Sequence, residues 1–83
     1  MNVIVRPVMS EKAVRLMEAE NVLTLIVNQK SNKNQIKKAV EELFNVKVLK
    51  VRTLITTKNE KKAYIKLSPE NNALDVGAEL GMI

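Results

Sequence analysis

Lys62, Tyr64 and Lys66 stand two residues apart in the stretch KKAYIKL, residues 61–67, and Ala63, Ile65 and Leu67 alternate with them. Side chains on a strand point alternately to its two faces, so this stretch reads as a strand with one cationic and one apolar face. Lys50 and Arg52 repeat the spacing in the preceding stretch VKVLKVRTLIT, residues 46–56. If the two stretches form a hairpin with matched faces, four cations and one aromatic ring share a surface. Ammonium and guanidinium groups so arranged neutralise phosphates, and the resulting binding falls steeply with salt. Tyr64 could stack on an unpaired base or sugar, or donate its hydroxyl to a phosphate. It could equally serve as a cross-strand partner covering the lysine stems.

Other chemistry lacks its residues. The chain has no cysteine and no histidine, so the usual zinc ligand sets are missing and no metal or cofactor is expected. Glu41 and Glu42 are adjacent, and neighbouring residues on a helix do not face each other. Asp75 is the sole aspartate, and Ser10 has no base close in sequence. The two glycines, Gly77 and Gly81, precede no Lys-Ser or Lys-Thr pair, so there is no phosphate-binding glycine loop. A binding protein is expected rather than an enzyme, with no small-molecule substrate.

The charge is concentrated. The net charge is +5, but residues 30–66 carry eleven basic side chains against Glu41, Glu42 and Glu60, an excess of +8. Residues 1–29 are balanced, and residues 67–83 hold Glu70, Asp75 and Glu79 with no base. Such a like-charged field opposes folding until a polyanion neutralises it. Eighty-three residues make one small domain, 1–83. A chain this short buries only about 60–65% of its unfolded surface and is marginal alone. No stretch approaches the ~20 apolar residues of a membrane span. The N-terminus lacks a basic region followed by an apolar run, so no signal peptide is expected and the expected location is cytoplasmic.

The elements that must position the cationic surface follow from periodicity. Residues 3–5 (VIV) read as a short strand that Pro7 stops. Ser10 caps a helix with Glu11 in its first turn and Ala13, Val14, Leu16 and Met17 on its apolar side, ending near Glu20 and Asn21. Residues 22–28 (VLTLIVN) are nearly all apolar, as for a strand covered on both faces near the sheet centre. Asn32 and Gln35 form a capping-box pattern before a second helix, whose stripe is Ile36, Ala39, Val40, Leu43 and Phe44. Asn45 suits a left-handed exit from that helix.

The hairpin arms are expected over 46–56 and 61–67, with Asn59 forming the turn. Apolar residues in the first arm fall on both faces, so either both are partly covered or a bulge breaks the register. Ser68 and Pro69 open a last short helix over about 70–80. The order β-α-β-α-β-β-α supports a small α+β domain with one sheet flanked by helices.

At Lys61-Lys62-Ala63-Tyr64-Ile65-Lys66-Leu67-Ser68 the chain closely resembles the signature of the universal large-subunit ribosomal protein twenty-three family. Arg6-Pro7-Val8-Met9-Ser10-Glu11-Lys12-Ala13 looks like its opening motif, Asn32 to Leu43 like its second helix, and Phe44 to Val48 and Lys50 to Leu54 like its entry into the hairpin. The resemblance implies a largely antiparallel four-stranded sheet. It implies binding to domain III of the large-subunit rRNA (23S-type) beside the exit of the nascent-chain tunnel, next to large-subunit ribosomal protein twenty-nine. It also implies a docking platform for the signal recognition particle and the protein-conducting channel.

The resemblance implies RNA contact by Lys61, Lys62, Tyr64 and Lys66 in the signature strand, and by Arg6 and Lys12 of the opening motif. Lys50 and Arg52, from the spacing of the first arm, and Lys37 and Lys58 complete the expected RNA contacts. Glu11 matches the acidic position that engages a ribosome-bound chaperone in bacterial members. Those members carry a long basic loop between the hairpin arms, whereas here only Thr57 to Glu60 are available. That and the ending Leu80-Gly81-Met82-Ile83 give the chain an archaeal look. With a single aromatic on the surface, shape and backbone should be read more than base sequence. A module that meets an acidic protein is the alternative from composition alone. A free single-strand binder is disfavoured by the shortage of aromatics.

Overall fold

The computed structural model describes residues 3–81; Met82 and Ile83 of the C-terminal ending lie outside the described residues. The chain runs β1 (Ile4–Pro7), α1 (Glu11–Glu20), β2 (Val22–Val27), α2 (Lys33–Phe44), β3 (Val48–Ile55), β4 (Lys61–Leu67) and α3 (Ala73–Glu79). The four strands form one sheet in the order β1-β2-β4-β3, and every pairing is antiparallel. β2 therefore lies inside the sheet, as its apolar run requires. Pro7 does not stop β1 but closes it, paired with Leu25. β1 is an edge strand, where a residue without an N–H is tolerated.

Local chemistry sets the helix ends. The Ser10 side chain accepts from the Ala13 N–H at 3.1 Å. Asn32 accepts from the Gln35 N–H at 2.8 Å, and the Gln35 side chain accepts from the Asn32 N–H at 2.9 Å, a complete capping box. Such a cap contributes about 1 kcal/mol. Asn21, Asn45 and Asn59 adopt positive φ of 59°, 54° and 62°. Asparagine is the non-glycine residue best suited to that region, so two helix exits and the hairpin turn share one device.

The register of β3 and β4 resolves the mixed pattern of the first arm. Val48 pairs with Leu67 and Lys50 with Lys66, which makes Leu49 the extra residue of a bulge. The bulge puts Val48 and Val51 on the same side, and both are buried, while Leu49 is half exposed. β3 accordingly begins at Val48, two residues later than expected for the arm.

Leu23, Leu25 and Val27 of β2 and Ala63, Ile65 and Leu67 of β4 share one face and are fully or almost fully buried. They belong to a buried cluster with Ile36 and Val40 of α2, Ala13 and Met17 of α1, and Ala73 and Val76 of α3. α2 packs against β3 and β1, and α1 packs against β2 and α3. On the other face of β2, Thr24 and Ile26 are also buried. The side of α1 formed by Lys12, Leu16 and Glu20 borders that second face. The sheet is thus covered on one face and only half covered on the other. No helix among the described residues is long and apolar enough to cross a membrane.

Candidate nucleic-acid interface

The half-open face is built from three cross-strand rows. Val22, Lys66 and Lys50 form the first; Thr24, Tyr64 and Arg52 the second; Ile26, Lys62 and Leu54 the third, extended at the edge by Arg6 beside Ile26. Antiparallel pairing places directly opposed side chains about 4.5–5.5 Å apart at Cβ. Lys50 and Lys66 are therefore like charges held face to face, an arrangement that opposes folding and favours an anion above the pair.

Where α1 stops covering the sheet, a groove of about 520 Å³ opens. Tyr64, Val22 and Lys66 line its base, Lys12, Leu16 and Glu20 of α1 one wall, and Lys50, Arg52 and Leu54 of β3 the other. The three α1 residues are four apart and so form one stripe along the helix. The Arg52 guanidinium carbon lies 6.0 Å from the centre of the Tyr64 ring, at the limit of cation–π attraction. Lys66 Nζ donates to the Glu20 carbonyl at 2.7 Å, which sets an ammonium on the negative end of the α1 dipole. An ammonium has three N–H groups, so two remain for a ligand.

A second, smaller hollow of about 250 Å³ lies at the turn end of the hairpin, lined by Arg6, Val8, Ile26, Thr56, Thr57, Lys58, Glu60 and Lys62. Arg6 donates to Glu60 at 2.5 Å, both side chains partly exposed. An exposed pair of this kind contributes about 1 kcal/mol or less and exchanges readily with an incoming phosphate. The turn itself is tied by the Thr56 N–H to the Glu60 carbonyl at 2.8 Å and the Asn59 N–H to the Thr56 carbonyl at 2.9 Å.

Of the residues expected to meet RNA, Lys12, Lys50, Arg52, Tyr64 and Lys66 line the groove, and Arg6, Lys58 and Lys62 line the adjoining hollow. Two are placed elsewhere. Lys61 pairs with Val27 on the opposite, core-bearing face, and its Nζ donates to the Ser31 carbonyl at 2.5 Å. Lys37 is exposed on α2 and lines neither hollow. Glu11, expected to dock a protein, is 80% exposed and accepts from Arg15 at 2.6 Å, one turn further along α1.

The sequence profile of the family described as Ribosomal protein L23 matches residues 2–75. The chain belongs to the L23 family of ribosomal proteins. It is 55% identical to large ribosomal subunit protein uL23 of Pyrobaculum aerophilum over 78 residues, which span 94% of this chain and 96% of the relative. L23 membership makes the chain a ribosomal protein, with the cytoplasmic ribosome as its address. That relative is archaeal, in keeping with the short connection between the hairpin arms.

Within this L23 chain, four groove residues were not among the sequence candidates: Leu16, Glu20, Val22 and Leu54. Leu16 reads as an ordinary core position of an amphipathic helix. Only the i, i+4 series Lys12, Leu16, Glu20, with a charge at each end, signals that this stripe borders solvent.

Proposed function

We propose that this protein is a structural constituent of the large ribosomal subunit that binds large-subunit rRNA, in domain III beside the tunnel exit, through the half-open face of its sheet. The whole chain acts as one RNA-binding domain and needs no cofactor. The reading rests on one observation: eight of the ten expected contacts fall on two adjoining hollows of one face, with only Glu20 and Glu60 among their lining acids. Among the described residues, ion pairing neutralises Arg6 alone of these cations. Phosphates would supply the missing counter-charge.

Proteins at the tunnel exit then meet the rest of the surface. Large-subunit ribosomal protein twenty-nine would be a neighbour, and the signal recognition particle and protein-conducting channel would dock outside. Exposed apolar side chains off the cationic face, Leu43 of α2 and Ile55 of β3, are available for such contacts. Glu11, on a free helix end, is placed for protein docking.

Two measurements test the reading. In a cell extract the protein should sediment with large subunits until ribonuclease digests the RNA. If it sediments freely before digestion, or stays with an acidic protein after it, the RNA assignment is wrong. In filter binding to a domain III transcript, Lys62→Ala should weaken affinity several-fold and lower the salt slope by about one contact, whereas Lys61→Ala should leave both nearly unchanged. An equal loss for the two variants would mean that RNA does not lie on this face alone.

A further inference from the structure

The groove beside α1 is not shaped for phosphates alone. We propose that it receives one unpaired nucleotide turned out of the RNA, with the base against Tyr64, Leu16 and Leu54 and the flanking phosphates on the rim. The proposal deepens the RNA-binding reading above and depends on it.

Three features carry it. Rather than a flat cationic face, the surface is a half-open groove of about 520 Å³. That lies within the range of sites that hold small molecules, about 300–1,000 Å³. Its lining is apolar as well as charged: Leu16, Val22 and Leu54 line it together with Tyr64, and Leu54 is 44% exposed. The planar, weakly polar part of a nucleic acid is the base, and in a duplex its faces are stacked out of reach. A base out of the stack would cover these side chains with its planar face.

Charge sorts the two parts of the nucleotide. Lys12, Lys50 and Arg52 stand along both walls, while Glu20 lines the same groove and disfavours a phosphate inside it. The Arg52 guanidinium lies close to the Tyr64 ring. The plane of arginine and the face of tyrosine are both surfaces on which bases stack. A single pocket of this kind also reconciles shape recognition with a lone surface aromatic. One ring cannot form a platform for successive bases, but it can hold one.

The test uses the whole chain and small probes. Methyl and aromatic NMR signals are followed during titration with guanosine 5′-monophosphate, and separately with ribose 5-phosphate at equal concentration. The expected result is a saturable shift of Leu16, Leu54 and Tyr64 signals with the nucleotide only. Tyr64→Ala should weaken that binding by roughly five-fold or more, the loss expected for one stacked base. Equal shifts with ribose 5-phosphate, or none in the groove with the nucleotide, would overturn the proposal. The wild-type titration decides it even if the variant folds poorly. Binding to the domain III transcript, measured on the same preparation, separates the two readings. If the transcript binds while the nucleotide leaves the groove untouched, the RNA face stands and the base pocket falls.

Discussion

Replacing Lys50, Arg52, Lys62 and Lys66 together by alanine should weaken binding to the domain III transcript by roughly 100-fold or more at moderate salt. The plot of log affinity against log salt should become shallower by about three to four. The four side chains stand in adjacent rows of one face and point away from the buried face of β4. Each releases about one counterion on meeting a phosphate. A charge-assisted contact contributes on the order of 1 kcal/mol net, so four lost together exceed two decades of affinity. None of the four pairs with a carboxylate in the described structure, so removing them opens no ion pair.

The cost to folding should be small. The Lys66 hydrogen bond to Glu20 and the Arg52 contact with Tyr64 are lost, and the Lys50–Lys66 repulsion disappears. The control is a variant of equal charge change, with Lys30, Lys33, Lys38 and Lys47 all changed to alanine; these side chains are exposed and line neither hollow. It should retain most of the affinity. If the two quadruple variants bind alike, net charge drives binding and the half-open face has no special part in it.

How far the sequence reached depends on the range of the interaction. What is encoded within a few residues was legible. The capping box of α2 needs only Asn32 and Gln35, and the αL residues Asn45 and Asn59 need only their own side chains. The alternation in β4 gave its two faces, because period two is a property of the strand alone. The first arm was ambiguous for a physical reason. A bulge at Leu49 and a strand covered on both sides produce the same string of letters, and only the pairing with β4 distinguishes them. Lys61 illustrates a different limit. It sits next to Lys62 in a run that looks uniformly basic, yet adjacent strand positions face opposite ways, and its amine ends on Ser31 beyond the sheet. The groove was invisible because its walls are 30 or more residues apart, and nothing local in α1 specifies that Leu16 will line the same hollow as Leu54.

Asn21 makes four long-range side-chain hydrogen bonds, and its replacement by alanine should have the largest effect on stability. In sequence Asn21 marks only the end of α1. In the structure its Nδ2 donates to the carbonyls of Leu67 at 3.3 Å, Ser68 at 3.2 Å and Asn71 at 2.8 Å, and its Oδ1 accepts from the Ala73 N–H at 2.7 Å. One side chain thereby binds the exit of β4 and the start of α3 to the exit of α1. Its backbone adds to this, since the carbonyl accepts from the Leu67 N–H at 3.1 Å and φ is 59°. Alanine would lose all the side-chain bonds, leave half-buried backbone groups unpaired, and adopt the left-handed conformation at an added cost. The sum is about 3–4 kcal/mol, against roughly 4–12 kcal/mol for the whole stability of a domain of this size. The midpoint of thermal unfolding should fall by about 12–30 °C. Asn21→Gly separates the causes, because glycine accepts the backbone conformation but makes none of the bonds; it should recover about 1 kcal/mol relative to alanine. A urea titration of the three proteins measures both differences. If alanine costs less than about 1 kcal/mol, the hydrogen bonds from Asn21 are replaced by water without loss, and α3 is held by the packing of Ala73 and Val76 alone.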